Sequence, residues 1–177
     1  MAMTDLRYPI GPFQAPGETT SAQRRQWIET IAATPEKLRR AVAGLSEAQL
    51  ETPYRPGGWT VRQVVHHLPD SHLNSYVRFK LALTEETPAI KPYWEDRWAE
   101  LADSKGPIDI SLNLLEALHL RWVLLLESLS AEDFQRDFYH PENKAAMRLD
   151  TTLALYAWHG EHHVAHITAL RERMGWS

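Results

Sequence analysis

The chain has 177 residues, of which 44% are hydrophobic and 24% charged, a composition typical of one globular domain with a single core. Its 19 basic and 23 acidic residues give a net charge of −4, which argues against a nucleic-acid partner. The lack of a long apolar run argues against a membrane protein, and the lack of a secretory signal favours the cytoplasm. The absence of cysteine excludes disulfides, zinc–thiolate sites and a cysteine nucleophile, so a transition metal would need imidazole or carboxylate ligands, and the chain has nine histidines.

The N-terminal half is predicted to contain an extended arm and two helices. Proline and glycine recur through residues 1–19, so this segment is predicted to be an arm without helix. A first helix is predicted from a capping box at Thr20, with a kink or brief break at Pro35. A second helix is predicted from Thr60 to about Glu86.

The C-terminal half is predicted to contain an insertion and two further helices. Residues 87–108 are too long for a simple bundle loop and too aromatic for a disordered linker, so a packed lid or an interface segment is expected. A third helix is predicted over residues 110–129, and a fourth from Thr151 or Thr152 to Met174. No segment alternates as a strand does, so the pattern predicts an all-α, antiparallel or up-down four-helix bundle with a long crossover.

Four histidines lie close together on the fourth helix, in the segment WHGEHHVAH at residues 158–166. They form two pairs at a spacing of four residues, His159 with His163 and His162 with His166, and either pair could chelate a metal across one helical turn. On a helical wheel, His163 lies inside the apolar stripe and His159 at its edge, whereas His162 and His166 point well away. Only the first pair is therefore predicted to face the bundle interior.

Two interpretations of this inward pair stay open, a metal site and a set of hydrogen-bonded core histidines. The second helix adds a polar stripe, which is either a solvated face or one wall of a pocket with His67 as a third ligand. The stripe consists of Gln63, His67, Ser71, Asn74 and Arg78. His72 lies in the apolar row of the same helix, where a core role would explain it. The HExxH, GxSxG and phosphate-loop motifs are all missing from the sequence.

Several segments together resemble the DinB/YfiT superfamily, and most closely its YfiT group of metal-dependent hydrolases. The segments are RYPIGPF in the arm, GGWTVRQVVHHL and DSHLNSYVRFKLALTEETPAIKPY through the second helix and insertion, FYHP before the last helix, and WHGEHHVAHITALRERMGW at the end. This resemblance covers nearly the whole chain. It implies one domain over residues 1–177, folded as a DinB-like bundle of the up-down-down-up type.

The resemblance also implies a ligand set. Similar proteins hold one metal by a histidine about eight residues after a tryptophan and by an HxxxH pair on the last helix. Counting from Trp59 reaches His67, and the fitting pair is His159 and His163, which the helical wheel also selects. The broader superfamily commonly has Arg-Gly-Gln after the last ligand, whereas the residues at 164–166 are Val-Ala-His, in agreement with the YfiT group.

Three imidazoles leave a divalent ion with an open position for water, which favours a hydrolase acting on a small molecule. Zinc is the default ion for such a site and nickel a second candidate. Relatives in the superfamily resemble S-transferases that use bacillithiol or a similar low-molecular-weight thiol, so a thiol S-transferase is a second interpretation. A non-catalytic metal or ligand sensor is a third. Asn74 and Arg78 are candidates to orient a carboxylate-bearing substrate. The sequence assigns no general base. The resemblance also implies that the protein is a homodimer.

Overall fold

The computed structural model of the chain describes residues 5–176, and four long helices form its framework. The helices, in chain order, are α1 (Ser21–Val42), α2 (Glu47–Leu50), α3 (Val61–Thr84), α4 (Glu95–Trp98), α5 (Ile108–Glu127) and α6 (Leu149–Met174). Two short 3-10 helices, Ala102–Lys105 and Asp133–Gln135, and one hairpin of β1 (Asp137–His140) and β2 (Ala145–Arg148) lie in the connections. Within the described residues, none of the helices has the length and apolar character needed to cross a membrane.

Contacts between the long helices establish the up-down-down-up topology. Helices α1 and α6 are parallel, as shown by three pairs of contacting residues, Thr19 with Asp150, Thr34 with Gly160 and Ala41 with Arg171. Helices α3 and α5 are also parallel, as shown by His66 with Ser111, His72 with His119 and Phe79 with Trp122. Helix α3 is antiparallel to α6, as shown by Trp59 with His163, His67 with His159 and Ser71 with Tyr156. The predicted four-helix bundle is confirmed.

The crossover between α3 and α5 packs against the rest of the molecule. Because these helices are parallel, the chain must return along the bundle before α5 begins. Ile90 and Ala99 in this segment are buried, and the Ile90 N–H donates to the Tyr139 carbonyl oxygen at 3.0 Å. The Tyr139 N–H in turn donates to the Pro88 carbonyl oxygen at 2.9 Å, so the crossover runs beside β1.

The hairpin corrects the expectation that the chain contains no strand. Asp137 pairs with Arg148 and His140 with Ala145, in antiparallel register. Each strand has four residues, too few for a period-two pattern to be visible in the sequence. The local signal is the turn after His140, which begins with a proline and ends at Lys144 in the left-handed region with φ 51°.

The arm at the start of the described chain lies against α6. Trp158 donates from Nε1 to the Gly11 carbonyl oxygen at 3.1 Å, and Phe13 packs on the Trp158 ring. Thr19 donates from Oγ1 to the fully buried carboxylate of Asp150 at 2.9 Å. Over residues 5–19 the arm contains no helix, as predicted, and it covers a face of α6 that would otherwise be exposed.

Two buried apolar clusters fill the bundle, and His72 of α3 and the histidines of α6 lie where one cluster gives way to the other along each helix. The first cluster includes Phe79, Trp122 and Phe138. The second includes Leu38, Leu68 and Leu115. This arrangement places a band of polar rings across the middle of an apolar interior.

Candidate metal centre

The structure brings His67, His159 and His163 together. His67 projects from α3, and the other two project from successive turns of α6. One ring nitrogen from each lies within 4.8 Å of the others, and His67 Nε2 is 3.3 Å from His159 Nε2. These are the three residues that the sequence analysis selected as ligands.

The backbone around this cluster explains how the rings converge. Histidines four residues apart on α6 lie on one face, and the antiparallel α3 brings His67 toward that face. Trp59, just before α3, packs against the rings of His67 and His163, with centroids 4.6 and 6.3 Å away. Gly160 lies between the two α6 ligands and permits a close approach of α1.

The three imidazoles fit a divalent ion. Two nitrogens bound tetrahedrally at the usual zinc–nitrogen distance of about 2.0–2.1 Å would be about 3.3 Å apart, which is the separation observed between His67 and His159. Burial lowers the pKa of His67 to about 3, with a smaller contribution from the charge of His162. Burial, followed by the charges of neighbouring rings, also holds the pKa values of His159 and His163 well below the usual range. All three rings are therefore neutral at neutral pH and available to coordinate metal.

A second set of rings is hydrogen-bonded to the cluster from inside the bundle. His72 Nε2 lies 3.1 Å from His159 Nδ1, and His72 Nδ1 lies 2.8 Å from His119 Nε2. His119 Nδ1 lies 2.6 Å from the Ile31 carbonyl oxygen. His72 is fully buried, in keeping with its predicted core position, but it also contacts a candidate ligand. His119 was not among the predicted site residues, although its position between Leu115 and Trp122 is in phase with the apolar stripe of α5.

The other α6 pair, His162 and His166, is buried as well. The helical wheel predicted that both rings point well away from the interior, but both contact His163 and are covered by the arm, with Tyr8 5.8 Å from the His162 ring. His166 Nε2 lies 3.0 Å from the Arg7 carbonyl oxygen, and its Nδ1 lies 3.4 Å from His163 Nδ1. Tyr54 stacks on the His166 ring at 3.9 Å. A wheel describes one helix, so it could not predict burial by a distant segment.

A cavity of about 650 Å³ opens onto the cluster. Its walls come from the loop before α3, from α3 itself, and from the crossover, the hairpin and α6. Residues 87–108 contribute part of this wall, and their role as a packed lid or an interface segment stays a prediction. Basic groups face it from three elements, Arg55, Arg78 and His140. Such a volume is in the range of small-molecule sites.

The two residues predicted to orient a substrate differ in position. Arg78 lines the cavity. Asn74 is outside the cavity lining, and its side-chain amide donates to the Asp70 carbonyl oxygen at 2.8 Å. Three carboxylates, those of Glu95, Asp96 and Glu142, also belong to the cavity wall, but none of them joins the three-histidine cluster. The site thus combines three neutral imidazoles with a polar wall, and an ion held by these imidazoles would have room for a further ligand on the cavity side.

Comparison with known proteins gives relatives along the whole chain. A model of the DinB superfamily matches residues 30–167. A protein of Bacillus mycoides strain KBAB4 and one of Bacillus cereus strain 03BB102, both named "Putative metal-dependent hydrolase", are each 57% identical over 98% of this chain and 100% of their own length.

Two solved structures are similar in fold. YfiT from Bacillus subtilis, described as "a probable metal-dependent hydrolase with an unusual four-helix bundle topology", is 54% identical with a TM-score of 0.95, over 97% of this chain and 99% of that one. The four-helix bundle protein TT2238 is 18% identical with a TM-score of 0.57, over 82% and 98% of the two chains, and shows likeness of fold alone.

Proposed function

The chain belongs to the DinB superfamily, and from this premise we propose that it is a metal-dependent hydrolase whose divalent ion is held by His67, His159 and His163. The observation that carries the proposal is the cluster of three neutral imidazoles facing a cavity of small-molecule size. The names of its relatives support the same class of activity.

The chain's own residues would prepare the ion for hydrolysis. A divalent ion at this position would lower the pKa of a bound water toward neutrality and so supply a nucleophile. Because the ligands are neutral, they leave the ion its full positive charge. Burial of the three rings keeps them unprotonated, and the cavity leaves room for a small ester or amide beside them.

Zinc is the ion that we propose, with nickel as the second candidate. An all-imidazole set suits both ions. The 3.3 Å separation of the His67 and His159 nitrogens matches tetrahedral zinc, and this match supports the choice.

Arg78 is the residue that we propose to bind the substrate. It lines the cavity and carries a guanidinium that can hold a carboxylate in a bidentate contact. Arg55 lines the same cavity, so the wall offers a second guanidinium. Three carboxylates line it too, so we propose only that the substrate carries a carboxylate for Arg78, and not that it is anionic as a whole. The role of Asn74 stays a prediction, and it would require the side chain to leave the Asp70 carbonyl.

A thiol S-transferase that uses bacillithiol or a similar low-molecular-weight thiol is the second candidate. The two arginines in the cavity wall suit a carboxylate-bearing thiol, and the open side of the ion would accept its sulfur. The chain has no cysteine, so the sulfur would have to come from such a co-substrate.

The experiment compares ester and amide hydrolysis by the zinc-loaded protein with and without added bacillithiol. We expect hydrolysis without thiol, and a loss of at least about tenfold after chelation or in His67→Ala. The matched control is His66→Gln, since His66 is buried on the same helix but bonds Ser111 and the Gly106 carbonyl instead of the cluster. Turnover that strictly requires thiol would favour the transferase, and metal binding without any turnover would favour the sensor; both results contradict the hydrolase.

We also propose that the protein is a homodimer. Helix α5 has a face of exposed apolar side chains, consisting of Ile110, Leu114, Leu120 and Leu124. Leu120 and Leu124 border an apolar groove between α1 and α5. An apolar surface of this kind is typical of a contact with another protein, and a second copy is the partner that the family resemblance implies.

A further inference from the structure

We propose that two rows of hydrogen-bonded histidines fix the ring tautomers of His159 and His163, so that each presents a bare nitrogen to the metal before the metal binds. Each row ends on a backbone carbonyl, which can accept a hydrogen bond but cannot donate one. The inference takes its ligand set from the proposed function. It concerns the position of protons in the metal-free protein and is independent of which reaction is catalysed.

The direction of the first row follows from its end at Ile31. The Ile31 carbonyl only accepts, so the nearby Nδ1 of His119 carries the proton and donates. A neutral imidazole has one donor and one acceptor nitrogen, so His119 Nε2 accepts from His72 Nδ1. His72 Nε2 then accepts from His159 Nδ1, and His159 Nε2 is left with a free lone pair facing His67. The carbonyl thus determines which nitrogen of the ligand stays bare.

Pro35 explains why the Ile31 carbonyl is available. In a regular helix this oxygen would accept from the N–H of the residue four positions later, which is Pro35, and proline has no N–H. The oxygen instead accepts from His119 on the neighbouring helix. The first row therefore includes a residue from each long helix, α1, α5, α3 and α6, and positions a ligand from the opposite side of the bundle.

The second row is shorter and ends on the arm. The Arg7 carbonyl accepts from His166 Nε2, which leaves His166 Nδ1 as an acceptor. His163 Nδ1 lies 3.4 Å away and is the donor, so the proton of His163 resides on Nδ1 and its Nε2 is bare. This row couples the docked arm to the site.

The environment of the rings supports a neutral row. His72 and His119 are both fully buried, and burial disfavours a charged imidazole. If the carbonyl-anchored ring were absent, the row could reverse: His72 would donate from Nε2, and the proton of His159 would move to Nε2, the nitrogen needed by the metal. His72, His119 and His166 are therefore positioning residues, since they act through the ligands.

The test uses His119→Leu, which removes the donor and the acceptor of the ring from the first row. Ring ¹⁵N chemical shifts of the metal-free protein report which nitrogen of His159 is protonated, and competition with a chelator gives the zinc affinity. We expect the His159 proton on Nδ1 in the wild type and a shift toward Nε2 in His119→Leu. We also expect the zinc affinity of that variant to fall about 10- to 100-fold.

Two further variants separate this role from simple burial. His119→Gln should restore both readouts, because its amide can donate to the Ile31 carbonyl while its oxygen accepts from His72. Trp122→Phe is the matched control: its ring lies 5.9 Å from that of His72 and 6.0 Å from that of His119, but it is not part of the row. We expect wild-type tautomers and affinity in this control.

Three results would overturn the proposal. They are a wild-type His159 protonated on Nε2, a His119→Leu protein with an unchanged tautomer and zinc affinity, and an equal loss of affinity in Trp122→Phe. The first of these needs no variant, so it decides the matter even if His119→Leu does not fold. The ¹⁵N reading needs neither metal nor turnover, so a failure of the proposed hydrolase would be seen separately. His166→Leu and His166→Gln extend the same measurement to His163.

Discussion

Burial determines what each histidine ring of this protein does. Rings enclosed in the bundle are neutral because burial penalises the charged form, and a neutral ring can serve as a ligand or as a link in a hydrogen-bond row. His67 has ring contacts with Trp59 and with both α6 ligands. His119 has a carbonyl on one side and a second ring on the other. The groups around each histidine therefore determine its role.

Asp70 gives a prediction of pH-dependent stability. Burial, with a smaller effect from the charge of Asp103, raises the pKa of Asp70 from 3.8 to about 6. The folded protein therefore binds this proton more tightly than the unfolded chain, so the contribution of Asp70 to stability falls as the pH rises from about 4 to about 6 and is constant above that range. We expect Asp70→Asn to raise the free energy of unfolding at pH 7.5 by about 1 kcal/mol, a value reduced for partial solvent exposure, and to have little effect at pH 4.

Urea unfolding of wild type and Asp70→Asn at the two pH values measures this difference. An equal effect of the substitution at both pH values would contradict the raised pKa.

Close contact between α1 and α6 depends on Gly160. A Cβ at this position would lie 2.7 Å from Thr34 Oγ1 and 2.8 Å from Thr34 Cγ2, and Thr34 is fully buried with a β-branched side chain that has little freedom to move. We expect Gly160→Ala to lower the free energy of unfolding by about 1–3 kcal/mol despite the better helix propensity of alanine. Denaturant unfolding checks this value.

A second substitution tests the cause of that loss. Thr34→Ala removes both atoms that would clash, so the double variant Thr34→Ala with Gly160→Ala should be more stable than the sum of the single effects predicts. Additive losses in the double variant would show that the clash is not the cause.

Local patterns in the sequence predicted most of the elements. The capping boxes at Thr20 and Thr60 are present, and Gly175 closes α6 in the left-handed conformation. Helix α6 begins at Leu149, two to three residues earlier than predicted, after Arg148 in extended backbone. The hairpin was missed because its strands are short and are stabilised by the crossover, a segment distant in sequence.

The sequence predicted which three histidines come together, and their role as metal ligands stays a prediction. Helical spacing and the family motif selected His67, His159 and His163, because both follow from local sequence. Neither source could supply His119, which reaches the site through His72 from a third helix, since that contact depends on how the helices pack. The burial of His166 under the arm depends on tertiary contact in the same way.

At the scale of the whole molecule, the surface available for a partner lies on α5. The face of α6 that carries Trp158 is covered by the chain's own arm. The exposed face is on α5, where Leu120 and Leu124 are 66% and 69% exposed. The homodimer and the cytoplasmic location both stay predictions.

Sedimentation equilibrium tests the dimer. We expect a mass of two chains at micromolar concentration and a shift toward the 20.4 kDa monomer in Leu120→Lys. Val77→Lys, at an exposed apolar position on α3, is the matched control and should stay dimeric. A wild-type monomer, or equal dissociation of both variants, would contradict an interface on α5.

The central claim is that three imidazoles hold one metal ion, and the metal content of the purified protein tests it most directly. We expect one divalent ion per chain in the wild type and in His66→Gln, and a nearly complete loss in His67→Ala and in His163→Ala. Undiminished metal in both alanine variants, measured by elemental analysis, would contradict the assignment.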